Sequence, residues 1–209
     1  MTPTEVRAPH LGALRADARR NRARVLEAAR TAFAERGLEA QMDEIARAAG
    51  VGVGTVYRHF ETKEALLEAV AVEPLGELIA RCREALEEED PGGALERFLR
   101  WSVEKQVHDR CIGESGLGTV ASSPVLVEAR AELGRLAAEL LARAQAAGAI
   151  RADLVTEDLP MLVFGIGSAQ RLDPCMSVTT WQRHLEIVLD GIRAPGSSPL
   201  PPVPAAPAR

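Results

Sequence analysis

The stretch "AGVGVGTVYRHFETKEALL", residues 49–67, decides how the rest of this chain is read. Gly50, Gly52 and Gly54 stand directly before Thr55, Tyr57, Arg58 and His59, and Thr62 then opens a helical run. A glycine at 50 permits the left-handed backbone that swings one short helix across another. Gly52 and Gly54 leave the start of the second helix nearly bare, so a foreign backbone can approach and its N–H groups can meet a phosphate. Gln41 to Phe60 therefore has helix-turn-helix spacing, a unit that lays its second helix in the DNA major groove. Thr55, Tyr57, Arg58, His59 and Lys63 supply hydroxyl and cationic donors, a mixture suited to phosphate positioning plus one or two base contacts. The same pattern also fits an ordinary helical pair turning at a glycine, with Val56 and Phe60 in the core and Tyr57 half-buried as packing.

Working outward, "ARRNRARVLEAARTAFAERG" carries Val25, Leu26, Ala29, Ala32 and Phe33 as one apolar stripe at helical period, and Gly37 follows as a stop. Arg20, Arg24 and Arg30 lie on the opposite surface. "MDEIARAAG" fits a short helix with Asp43 and Glu44 in its first turn, where the helix dipole favours anions. A third helix fits Val53 to His59. A fourth starts after Thr62, with Leu66, Leu67 and Val70 apolar and Pro74 as a candidate kink. "DPGG" at 90–93 breaks the chain. The next helix, "ALERFLRWSVEKQVHDRC", places Leu95, Phe98, Leu99, Ser102 and Val103 on one side. Ser123 and Pro124 open another helix that ends at Gly148, and Thr156 and Thr180 cap two more. The last 16 residues hold six prolines and are expected to be disordered or polyproline II. No region alternates apolar and polar residues for long, so the chain is expected to be all-α.

The charge is divided. Residues 1–63 carry 11 Lys and Arg against 8 Asp and Glu, while residues 64–209 carry 14 against 22, so a basic head adjoins an acidic body. Cys82, Cys111 and Cys175 form no disulfide framework and no paired zinc spacing. No apolar run reaches the length of a membrane span and no signal-peptide core is visible, so a cytoplasmic protein without membrane partner is expected. His108 and Cys111, with Cys175 or His184, are the remote candidates for a metal or redox-sensing site. "GESG" at 113–116 is out of register with a hydrolase elbow and has no strand before it. No convergent acid, base or nucleophile set points to an enzyme, and no cofactor is expected.

"FAERG", "DEIARAAGV" and "GTVYRHFETKEALLEAV" recur in this order in one family. Over its first 70 residues the chain closely resembles the DNA-binding domain of the TetR family of transcriptional regulators. The "GVGVGTVYRHF" form is similar to SbtR-like members. The resemblance implies a two-domain, all-α homodimer: a three-helix helix-turn-helix DNA-binding domain, then a helical effector-binding and dimerisation domain. It places Thr55 and Tyr57 where members touch the DNA backbone or a base, Arg58 where they read a base, and His59 and Lys63 at phosphates. Gly52, Val53 and Gln41 depart from the family's usual Ser or Thr cap, its Lys or Arg, and its Thr-type cap. With Gly54 these complete the expected DNA-binding set.

The expected domains are an N-terminal arm over 1–18, the DNA-binding domain over 19–67, the effector and dimerisation domain over 68–193, and the tail over 194–209. Trp181, Leu185, Val188 and Ile192 have a four-three-four spacing that fits a seam against a twin chain, and Gly165 and Gly167 permit close helix approach. Intramolecular core is the competing reading of that seam. Phe98, Trp101, Ser102, His108, Met161, Phe164, Ser168 and Gln170 are the candidate lining of an effector pocket, each of them also explicable as packing. The resulting expectation is a homodimeric repressor released from a palindromic operator by a small molecule. An activator, or an interaction module whose DNA-binding domain is vestigial, stays open.

Overall fold

A computed structural model describes residues 11–108, 123–172, 180–195 and 198–201 of the 209-residue chain. Among the described residues there are α-helices and no strand: α1 (Leu11–Arg36), α2 (Met42–Ala49), α3 (Val53–His59), α4 (Lys63–Leu86), α5 (Pro91–His108), α6 (Pro124–Ala146), α7 (Asp158–Leu172) and α8 (Thr180–Ile192). The chain divides into two units, with one boundary between Glu73 and Pro74 inside α4 and another after Leu126 inside α6.

In the first unit the α1 stripe is buried as its spacing predicts: Val25, Leu26, Ala29, Ala32 and Phe33 all lie in the core. They are joined there by Ile45, Ala46 and Ala49 of α2, Val56 of α3, Phe60 after it, and Leu66, Leu67 and Val70 of α4. Gly37 ends α1 with φ at +56°. The Thr62 hydroxyl accepts the Ala65 N–H at 3.0 Å and so caps the start of α4.

The second unit is built on a larger cluster. Phe98, Leu99 and Val103 of α5 and Leu136, Leu140, Leu141 and Ala144 of α6 are buried with Ile166 of α7 and Trp181, Leu185, Leu189 and Ile192 of α8. α7 packs against α5 and α8. Two guanidinium–carboxylate pairs fasten α5 to α8 and to the residue that follows it. Arg100 holds Glu186 (2.8 Å) and Arg193 holds Glu96 through two 2.8 Å bonds. Gly148, with φ at +69°, ends α6 as expected.

Four expectations change. α1 begins at Leu11, so residues 11–18 are helical where an arm was expected. α4 runs unbroken through Pro74, although proline has no N–H to give the Val70 carbonyl. α7 begins at Asp158, one residue later than a Thr156 cap would start it, and the Asp158 carboxylate reaches back to accept the Val155 N–H at 3.0 Å. The tail is partly tied down: Arg151 donates to the Ser198 carbonyl and Asp153 accepts the Leu200 N–H at 2.8 Å. Cys82 is buried and its thiol is pushed up to about 11 by desolvation, which makes it unreactive. Cys111 and Cys175 lie outside the described residues, as does the 113–116 stretch.

Candidate nucleic-acid interface

α2 and α3 are joined by a glycine turn whose N–H groups bond back to α2. Gly50 has φ at +62°, its N–H reaches the Arg47 carbonyl at 3.1 Å, and the Val51 N–H reaches the Ala46 carbonyl at 3.0 Å. That is the Schellman pattern of bonds, which an L side chain at 50 would strain. At the other end of α2, the Glu44 carboxylate accepts the Gln41 N–H at 3.2 Å. The Gln41 amide nitrogen donates to the Glu39 carbonyl at 2.9 Å. Gln41 thus spends its side chain on its own loop, although it remains exposed.

α3 starts from Gly52 with no side-chain cap. The Thr55 and Val56 N–H groups both point back to the Gly52 carbonyl. Val56 and Phe60 are buried and anchor the helix. The face left outside carries Val53 (40% exposed), Gly54, Tyr57 (48%) and Arg58, with Thr55 and His59 half-buried beside it. A Cβ on Gly54 would meet nothing within 4 Å, and one on Gly52 only the Thr55 hydroxyl at 4.0 Å. Nothing among the described residues therefore requires glycine at 52 or 54. Lys63 sits half-buried in the first turn of α4.

The arginines of α1 behave differently from a free basic surface. Arg24 donates to the Gly50 carbonyl at 2.9 Å. Arg22 lies 5.3 Å from the centre of the Phe60 ring, within cation–π range. Arg30 Nη2 stands 2.8 Å from Glu73 Oε2. Arg36 Nη1 stands 2.8 Å from Glu44 Oε2; the hydrogen bond from Arg36 holds the Glu44 carboxyl below its usual range and raises the guanidinium in turn. Sequence periodicity missed Arg22 and Arg36, because long side chains choose partners far away in the chain.

Comparison with known proteins adds to this geometry. The family model described as bacterial regulatory proteins of the tetR family matches residues 25–70. The model for the C-terminal domain of SbtR-like transcriptional regulators matches residues 90–194, half of the chain. The chain belongs to the TetR family. It is a DNA-binding transcriptional regulator, and the family is not one of enzymes. The regulator UidR of Escherichia coli is 37% identical over 75 residues, a match covering 35% of this chain and 38% of UidR. The chain thus matches well under half the length of that curated relative. A TetR regulator of known structure from Mycobacterium vanbaalenii is 38% identical with a TM-score of 0.60, covering 87% of this chain and 99% of the other. The ketosteroid transcriptional regulator KstR2 of Mycobacterium tuberculosis is 26% identical with a TM-score of 0.65, covering 82% and 94%.

Within this TetR-family chain the C-terminal candidates are redistributed. Trp181, Leu185 and Ile192 are 8% exposed or less and Val188 packs against the same cluster, so the expected dimer seam is the core of its own unit. Gly167 also faces inward. A Cβ there would come within 2.3 Å of the Gln106 Cγ, so this glycine lets α7 approach α5. Met161 (73% exposed) and Phe164 (44%) point outward instead of lining a pocket, next to the exposed Gly165, and α8 shows Ile187 (60%). Phe98 and Ser102 are buried in the cluster, Trp101 is half-buried, and the Ser102 hydroxyl donates to the Phe98 carbonyl at 2.7 Å. The side chains of His108, Ser168 and Gln170 lie outside the described residues. Among the described residues no group of three His, Cys, Asp or Glu could hold a metal, and no helix is long and apolar enough to cross a membrane.

Proposed function

We propose that this protein is a homodimeric repressor that holds a palindromic operator and is released from it by a small-molecule effector. The observation that carries the reading is the exposed α3 face of Val53, Gly54, Tyr57 and Arg58, on a helix start whose glycines nothing among the described residues requires. Space for a Cβ that is left unused is space for a foreign backbone. Arg58 is the base reader, able to pair with guanine O6 and N7, while Thr55, Tyr57, His59 and Lys63 position phosphates and Gln41 flanks them.

The exposed Met161, Phe164 and Gly165 of α7 and Ile187 of α8 support a helical interface with a second copy. Single apolar side chains on a surface are ordinary, but α7 presents two large ones and a glycine within five residues. The effector site belongs to the second unit, where Trp101 and the buried polar Ser102 and Gln106 lie along α5. An apolar ligand with few polar groups fits that surrounding, in line with the ketosteroid in the name of KstR2. α4 contributes residues to both units and is the natural carrier of the signal, with a coupling of about 1–3 kcal/mol on the usual scale.

Footprinting and stoichiometry on the DNA upstream of the protein's own gene test this reading. Two symmetric half-sites about one helical turn apart, covered by an even number of chains, are expected. One asymmetric site covered by a single chain overturns the dimer, and equal affinity for random DNA overturns the operator.

A further inference from the structure

We propose that Arg24 is a positioning residue of the reading head, locking the α2–α3 turn rather than neutralising a phosphate. The inference rests on the reading of α3 as the DNA-contacting helix. An exposed arginine on the basic first helix of a DNA-binding protein would ordinarily be counted as a phosphate contact. Its geometry says otherwise. Arg24 Nη2 donates to the Gly50 carbonyl at 2.9 Å, and a Cβ built on Gly50 would fall 2.4 Å from that same nitrogen. The guanidinium thus fills the space that the absent side chain leaves and gives the Gly50 carbonyl a side-chain donor from α1. It also sits at the C-terminal end of α2, where the helix dipole favours a cation.

Two further arginines of α1 complete a splint. Arg36 holds Glu44 in the first turn of α2, and Arg22 covers the ring of Phe60 just beyond α3. The start, the turn and the end of the reading motif are each tied to one rigid helix. Functional groups must be held within about 0.5 Å and 10–20° to act, and Tyr57 and Arg58 are carried by a helix of only 7 residues. The angle of that helix is set by the turn, and the turn by Arg24.

Full-length Arg24→Met and Arg24→Lys are the variants to make, since the exposed side chain leaves the core untouched. Two readouts separate a lock from a phosphate contact. The first is amide hydrogen exchange over residues 50–56 in the free protein, with residues 25–33 of α1 as internal reference. The second is affinity for the upstream duplex and for a random duplex of equal length across a salt series. The expected result for Arg24→Met is about tenfold faster exchange confined to the turn, the worth of one charge-assisted hydrogen bond. Affinity for the upstream duplex falls by a similar factor, while affinity for random DNA and the salt slope hold. Arg24→Lys keeps the charge and shows the same changes in weaker form. Unchanged exchange overturns the proposal. So does an equal loss on both duplexes with a log–log salt slope smaller by about 1. Should the wild-type chain show no preference for the upstream duplex, the operator reading fails while the exchange result still decides the role of Arg24.

Discussion

Gly50 and Gly54 are the same residue type for opposite reasons. Gly50 is required by the chain itself, through its φ of +62° and the Arg24 guanidinium beside it. Gly50→Ala is expected to cost about 1–2 kcal/mol, seen as a lower melting temperature. Gly54 has open space around its Cβ position. Gly54→Ala should leave the melting temperature unchanged or raise it, because alanine is the better helix former by about 1 kcal/mol. The same variant should weaken operator binding at least tenfold, since the methyl stands where the DNA backbone approaches; binding at wild-type strength would remove the argument drawn from this glycine. Arg58→Ala should cost about 1–3 kcal/mol on the operator and much less on random DNA. At this scale the sequence was most legible. Buried Val56 and Phe60 and exposed Tyr57 and Arg58 follow from spacing within one short helix. The partners of Arg22, Arg24 and Arg36 did not, because a guanidinium on a long flexible stem finds its contact in three dimensions.

Elements were legible as elements and illegible as neighbours. The stripe of Trp181, Leu185, Val188 and Ile192 correctly marked one apolar face of α8. A helical period carries no information on whether the covering surface belongs to the same chain, and here it does. Leu185→Ala should accordingly cost about 2–5 kcal/mol by thermal or denaturant unfolding, independent of protein concentration. Gly167 was read as a contact for a twin and instead admits α5, which sequence could not distinguish, since both roles need a missing side chain. The join of α5 and α8 also sets an acid dependence. The hydrogen bond and charge of Arg100 hold the Glu186 carboxyl below its ordinary value of 4.5. A carboxylate lowered in the folded state contributes stability above the unfolded value and loses it as pH falls through the folded one. Stability measured from pH 6 to pH 3 should therefore fall more steeply for the wild type than for Glu186→Gln, and the two curves should converge at the acid end.

For the whole molecule, the charge division resolves into parts with different work. Of the head's arginines, Arg22, Arg24, Arg30 and Arg36 are engaged within the chain, while Arg58 stands exposed on the α3 face. Met161→Glu or Ile187→Glu should shift the molecule to monomer in light scattering with little change in helical content, and operator affinity should drop with it. A dimer that survives both substitutions would place the interface elsewhere. The measurement that tests the central claim most directly is a salt-series titration of wild-type and Arg58→Ala protein on the DNA upstream of the protein's own gene. A specific two-chain complex is predicted, losing roughly 10³–10⁵ in affinity between 50 and 200 mM salt as expected for about 6–10 phosphate contacts, and weakened by Arg58→Ala mainly on that DNA. Weak binding at every salt, equal for random DNA and untouched by Arg58→Ala, would contradict the assignment of α3 as the helix that reads DNA.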